Sequence, residues 1–353
     1  MDLEVHIPGA ETRYPLRFGN GLLDSLGAAV GALRPTGVAL VTDENVARHH
    51  LERARASFDR PPALEVVLPP GEETKTLPAA ARLLDRLVES SFDRRAVVVA
   101  LGGGVVGDLA GFAAATYLRG VRIVMVPTTL LAQVDSSVGG KVGVDHPLGK
   151  NLIGAFHQPA LVLVDSAVLE TLPLRERSAG MAEVVKYGLI ASVPLFETLE
   201  REVDRWPPSI EVVAECCRIK ARIVALDEKE SGPRRVLNFG HTFAHAIEAA
   251  TAYSVYRHGE AVALGMRAAL DLSIEIGGLA RQEAVRARAL VERLELPDLP
   301  LPTDRDRLAA AVRRDKKAEG GRVHAVVLEA IGRAATREVE VERIVEGVRS
   351  LSQ

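Results

Sequence analysis

Two histidines four residues apart, in Gly240-His241-Thr242-Phe243-Ala244-His245, would share one face of a helix. His258 follows just before Gly259-Glu260, and Glu183 lies in a second apolar stretch, Gly180-Met181-Ala182-Glu183-Val184-Val185-Lys186. One carboxylate with two or three imidazoles is a donor set suited to zinc, and a coordination position left open makes such a site catalytic. Spacing alone makes both His241 and His245 ligands. It is equally consistent with one of the pair capping the helix or supporting a ligand from behind.

A second chemistry is written in Gly102-Gly103-Gly104-Val105-Val106-Gly107-Asp108, which follows the apolar run Val97 to Leu101 and opens a helical pattern. Glycines at such a turn let backbone N–H groups approach a pyrophosphate at a helix N-terminus. A tight strand-to-helix turn also needs glycine, so the motif has a purely structural reading too. The acidic ribose reader expected about 20 residues on is missing, because the chain there reads Val126-Pro127-Thr128-Thr129. Asp43, just past the run Val38 to Val41 and near Asn45, could serve instead or could cap the next helix.

Four lysines stand among glycines and apolar residues: Lys141, Lys150, Lys186 and Lys220. Each alone is explained by a long stem lying on the surface with its ammonium in water. Together, beside a dinucleotide turn and a metal pair, they would repel one another unless an anion sat among them, so a phosphorylated or carboxylated substrate follows. Asn151 and Asn238 could add neutral donors. Arg82, Arg86, Arg94 and Arg95 fit a solvated face and need no function.

The elements that must hold these groups fall into two blocks. Short β-branched runs (Val38 to Val41, Leu64 to Leu68, Val97 to Leu101, Ile123 to Val126, Leu161 to Val164) alternate with helical stretches such as Pro78 to Ser90 and Val105 to Leu118. That alternation predicts a mostly parallel sheet covered by helices. After about Asp165 the period becomes 3.6, over Ser178 to Ile190, Ile210 to Asp227, His241 to Ala250, Glu260 to Ile276 and Gln282 to Leu294. Prolines punctuate them, and Arg322 to Leu328 is the one good strand candidate. The expected organisation is an α/β nucleotide-binding domain over residues 1–170, then an all-α metal- and substrate-binding domain over 171–353, with the active site in the cleft between them.

The 353 residues are 47% hydrophobic and 26% charged, with a net charge of -3. That excludes a global basic field, so neither nucleic acid nor an acidic membrane is an expected partner, and any anion site must be local. The adjacent Cys216 and Cys217 read as small buried apolar residues in a reducing compartment. The N-terminus lacks a signal-peptide pattern, and no apolar run reaches the length that spans a bilayer, so a soluble cytoplasmic protein is expected.

Several blocks closely resemble the 3-dehydroquinate synthases, a family of sugar phosphate cyclases. They are Pro70-Gly71-Glu72-Glu73-Thr74-Lys75, Leu101 through Asp108, Pro127-Thr128-Thr129-Leu130-Leu131, Val134 through Lys141, Gly149-Lys150-Asn151, Glu183 through Gly188, Asn238 through Thr242 and His258-Gly259-Glu260. The resemblance covers nearly the whole chain in order. It implies a Rossmann-like NAD domain and a helical domain with zinc, or cobalt, held by Glu183, His241 and His258. His245 then contacts substrate phosphate. NAD contacts by the same matching are Asp43, Asn45, Glu72, Lys75, Gly103, Gly104, Val105, Asp108, Thr128, Thr129 and Thr171, with Lys141 and Lys150 shared. Substrate and catalytic positions are Asp135, Lys141, Lys150, Asn151, Lys186, Lys220, Glu230, Arg234, Asn238 and His245, joined by one of Lys316 and Lys317. Arg119 resembles a residue that reaches the neighbouring subunit's site, which implies a homodimer. Asp145 and Ser192 depart from the common pattern, at positions the family does not use catalytically.

The family reaction takes 3-deoxy-D-arabino-heptulosonate 7-phosphate to 3-dehydroquinate and phosphate, without net use of NAD. The resemblance therefore implies a shikimate-pathway lyase. Two neighbouring readings are a cyclase acting on an amino-sugar analogue and an NAD- and metal-dependent polyol dehydrogenase; the lysine group counts against the second. A catalytically dead binding protein would be expected to have lost some of these residue types.

Overall fold

The structure is a computed structural model and describes residues 1–8, 12–230, 232–314, 318–319 and 321–352. The candidate lysines Lys316 and Lys317 lie outside the described residues. The chain divides into two compact units, the first formed by Met1–Leu172 with Ser209–Glu228 and the second by Pro173–Pro208 with Lys229–Gln353. One element departs from a simple division of the chain into halves. The helix Ile210–Leu226 follows the start of the helical block but belongs to the first unit, where it packs on β1 (Asp2–Ile7) and on the short π-helical turn Ala132–Ser136.

The first unit is built on seven strands: β1, β2 (Thr12–Gly19), β3 (Val38–Asp43), β4 (Leu64–Leu68), β5 (Val97–Gly102), β6 (Arg122–Pro127) and, after a separate hairpin, a last strand at Leu161–Asp165. The hairpin is β7 (Lys141–His146) with β8 (Gly149–Phe156), so the last strand is β9. Sheet order is β1-β2-β9-β6-β5-β3-β4, parallel except for β1 against β2. Central strands carry β-branched residues at consecutive positions because both faces are covered: every residue of β5 is buried. Val97, Val99 and Leu101 face one core with Leu40, Val124 and Leu163.

From β3 the chain passes to β4 on one side and later to β5 on the other. Direction reverses there, and the carboxyl ends of β3 and β5 flank the crevice where open α/β sheets bind ligands. Asp43 ends β3, and Gly102 ends β5.

The second unit is mainly helical: Leu174–Ala191, Val193–Glu202, His241–Ala250, His258–Leu272, Arg281–Glu292, Arg305–Arg314 and Val341–Ser350. It also holds an antiparallel sheet of β10 (Ala318–Glu319), β11 (Arg322–Ala330) and β12 (Arg333–Glu340). Only β11 was legible, because β12 reads Arg-Ala-Ala-Thr-Arg-Glu-Val-Glu and is largely exposed. Among the described residues no helix is long and apolar enough to cross a membrane.

Candidate active site

In the first unit the candidate dinucleotide groups gather at the carboxyl edge of the sheet. The helix Gly104–Thr116 starts immediately after β5 with Gly103 at its N-cap. None of Gly102, Gly103 and Gly104 has positive φ. Close approach is what needs glycine here: a Cβ on Gly102 would lie 2.4 Å from Val106 Cβ, and one on Gly103 would lie 3.0 Å from Thr129 Cγ2. Val105 follows in the first turn of that helix. The amide of Thr128 donates to Gly102 O (3.0 Å), while the buried Thr128 hydroxyl finds no hydrogen-bond partner among the described residues. Thr129 Oγ1 accepts from Ala132 N, which starts the turn carrying Asp135.

Asp43 adopts the capping role that its position left open: its Oδ1 accepts from Val46 N at 2.9 Å, with Asn45 in the helix it starts. Thr171 Oγ1 is 3.0 Å from His50 Nε2.

A compact ionic cluster joins residues that the sequence places far apart. Lys75 Nζ lies 2.6 Å from Asp108 Oδ2, donates to Asn151 Oδ1 at 2.6 Å and is 3.8 Å from Glu72; Lys150 Nζ is also 3.8 Å from Glu72. Asn151, at φ 55°, donates its amide to Asp145 Oδ1. Burial opposes the Lys75 charge, but Asp108 and Glu72 outweigh it and hold the ammonium above its ordinary range. Burial, reinforced by Glu72 and Asp145, pushes the Asp108 carboxyl up despite Lys75. Both directions describe one cation shared among several acids.

Lys220, buried on Ile210–Leu226, donates to both the carbonyl and Oδ1 of Asp135, each at 2.6 Å. Two features sequence reasoning missed hold that turn. Gln133, fully buried, donates to the carbonyls of Pro127 and Asp165 at the ends of β6 and β9, and its own carbonyl accepts from Cys217 Sγ. Lys141 is exposed at the start of β7. Arg119 is exposed beyond the far end of the Gly104–Thr116 helix, just before β6 begins.

In the second unit the ligand atoms of Glu183, His241 and His258 lie within 4.8 Å of one another. Glu183 Oε1 is 3.7 Å from His241 Nε2 and 3.9 Å from His258 Nε2. Ligands about 2.0 Å from a tetrahedral ion stand roughly 3.3 Å apart, so the two Glu183–histidine pairs lie within about half an ångström of that spacing. His245 is adjacent, its ring centroid 5.8 Å from that of His241, and is not one of the three. Burial, with Lys186, His258 and His245 nearby, holds His241 well below the ordinary histidine range, so it is the neutral imidazole that ligation requires. Burial also disfavours the His258 cation, but Glu248 and Glu183 overcome it and raise that group. Lys186 is fully buried, pairs with Glu183 one turn away and lies 5.2 Å from the Tyr187 ring centroid.

Helix packing sets this spacing. Gly240, in the left-handed region at φ 81°, ends the turn before His241. Gly259 lets two helices touch: a Cβ there would lie 2.0 Å from Ala179 O. Glu260 accepts from Arg257 N and pairs with Arg175 through both oxygens, anchoring the turn that presents His258. In the same unit Glu230 (φ 60°) accepts from Asn238 Nδ2 at 2.6 Å, and Arg234 is buried.

Comparison with known proteins bears on both units. The 3-dehydroquinate synthase N-terminal family matches residues 65–179, and the corresponding C-terminal family matches residues 180–318. A 3-dehydroquinate synthase from Halorhodospira halophila is 50% identical over 332 residues, covering 92% of each chain. A 2-deoxy-scyllo-inosose synthase solved with carbaglucose-6-phosphate, NAD+ and Co2+ superposes with a TM-score of 0.85 at 26% identity, covering 99% of both chains. The 2-epi-5-epi-valiolone synthase ValA from Streptomyces hygroscopicus, solved with NAD+ and Zn2+, gives 0.85 at 28% identity and 97% of both.

Proposed function

The chain belongs to the 3-dehydroquinate synthase family, and we propose that it converts 3-deoxy-D-arabino-heptulosonate 7-phosphate to 3-dehydroquinate and phosphate in the shikimate pathway. The conversion comprises transient oxidation at C5, β-elimination of phosphate, re-reduction, ring opening and intramolecular aldol closure. Seven carbons are retained, and phosphoric acid is the sole group lost.

Glu183, His241 and His258 would hold a zinc or cobalt ion, and their mutual distances and the neutral His241 fit that role. Gly103, Gly104 and Val105, with Asp43, Asn45, Glu72, Lys75, Asp108, Thr128, Thr129 and Thr171, would hold NAD; the crevice position and the Thr128 hydroxyl, which has no partner among the described residues, support it. When bound, NAD supplies a hydride acceptor and donor, and the ion supplies Lewis acidity toward substrate oxygens.

The chain's own groups carry the remaining tasks. Lys141, Lys150, Asn151 and His245 bind the phosphate and steady it as it leaves. Lys220 fixes Asp135, and Lys186 balances Glu183. Arg234 and Asn238 meet substrate oxygens, and Glu230, held by Asn238, relays protons through water.

Arg119 acts on the neighbouring copy in a homodimer. In its own unit it stands at the opposite edge of the sheet from the glycine turn, about 20 Å away along a 13-residue helix. The reaction would run in the cytoplasm.

The single observation carrying this reading is 50% identity across nearly the whole chain, far above the 26–28% shared with the two other cyclases. Phosphate release from the heptulosonate phosphate with only catalytic NAD tests it. Accumulating NADH in step with turnover, or no phosphate release, would overturn it.

A further inference from the structure

His241, His245 and Glu248 recur at i, i+4 and i+7 on the helix His241–Ala250, so they share one face. Glu248 is buried at 4% exposure, and a carboxylate is not placed there for solubility. Its Oε1 and Oε2 lie 3.3 and 3.4 Å from His258 Nδ1. On the other side of the same ring, Nε2 faces Glu183 Oε1 at 3.9 Å. His241 is held in the same manner, with Nδ1 3.2 Å from Phe239 O and Nε2 toward Glu183.

We infer that Glu248 is a positioning residue for the metal site: it accepts the Nδ1 proton of His258 and so fixes the tautomer and ring angle that present Nε2 to the ion. A neutral imidazole carries one proton on two nitrogens, and a carboxylate at Nδ1 selects the tautomer with its lone pair at Nε2. The carboxylate also makes that lone pair more basic. Outer partners of this kind are worth about 10–100-fold in metal affinity.

The inference rests on the ligand roles proposed for Glu183, His241 and His258, and its test separates the two. Zinc affinity of the full-length protein is measured by chelator competition for the parent, Glu248→Gln, Glu248→Asp and His258→Ala. Glu248→Gln is expected to bind zinc about 10–100-fold more weakly, with the cobalt absorption spectrum of the parent regained at saturating cobalt. Glu248→Asp should recover part of the loss. Parental affinity in Glu248→Gln, alongside metal loss in His258→Ala, would overturn the inference and leave the ligands intact. Parental affinity in His258→Ala would overturn the ligand reading itself. Should Glu248→Gln fail to fold, 15N NMR of His258 in the zinc-loaded parent decides: a protonated Nδ1 supports the inference, and an unprotonated one overturns it.

Discussion

Lys75 and Asp108, 33 positions apart in sequence, meet at 2.6 Å with both side chains largely buried, at 5% and 19% exposure. Asp108→Ala removes the closest counter-charge and leaves Asn151 and Glu72 beside the ammonium. The loss should be about 3 kcal/mol, the low end for breaking a buried pair. A Lys75→Met/Asp108→Ala double variant should lose less than the sum of the two singles. Denaturant melts of all four proteins check this, and strict additivity would contradict the pairing.

Gly259→Ala forces a methyl toward the Ala179 carbonyl and must part the helices that carry Glu183 and His258. A cost of about 1–3 kcal/mol is expected for overpacking of this kind. Weaker retention of zinc should accompany it. Gly31→Ala, which meets nothing within 4 Å, serves as the control. Thermal melting and metal content together report the result.

Lys141→Ala should raise KM for the heptulosonate phosphate by roughly tenfold or more, as loss of a charged hydrogen bond would, while leaving NAD affinity nearly unchanged, because Lys141 is one of many groups matched to NAD and is exposed at the start of β7. Isothermal titration with NAD and steady-state kinetics separate the two. Equal loss of both would show that the phosphate is held elsewhere.

The Cys217 thiol, buried and donating to the Gln133 carbonyl, is pushed up to about 12 from 9.0. An acid whose folded value is raised keeps its proton in the native state and loses it first in the unfolded chain. The unfolded state is therefore favoured as pH climbs through 9 toward 12, and stability falls over that window. Cys217→Ala should show a shallower alkaline decline in melting temperature than the parent. Neither cysteine should react with iodoacetamide in the native protein at pH 8, because both are buried.

What could be read from the sequence follows from where the signal is local. The runs at β3, β5, β6 and β9 are apolar at consecutive positions because they are buried on two faces, while β4, at the sheet edge with Val67 exposed, shows only as a short apolar run; each proves a strand within a residue or two of its expected ends. The β7–β8 hairpin was hidden by glycine-rich composition: Gly143 and Gly154 pack backbone to backbone, so the alternation is reduced to Val142 and Val144 on one strand, too short a signal to read as a strand. Glu183, His241 and His258 were accessible as residue types in the right blocks, but periodicity favoured His245 as readily as His258. The family resemblance separates them, but among physical signals only helix crossing does. Glu248 had a signal, the i+7 spacing from His241, but a single glutamate on a helix ordinarily faces water. Gln133, which reaches the Asp165 carbonyl, and Asp145, whose amide donates to the Lys75 carbonyl, act through contacts across long sequence distance, which spacing cannot reveal.

The helix Ile210–Leu226 is the last piece of the first unit to leave the ribosome, after Pro173–Pro208 has already emerged. Until then β1 and the Ala132–Ser136 turn await the helix that covers them, and Asp135 awaits Lys220. A gene fragment ending at Leu172 would therefore encode an unfinished body with uncovered apolar surface. Any split, circular permutation or domain exchange of this enzyme has to carry Ser209–Glu228 along with the amino-terminal portion.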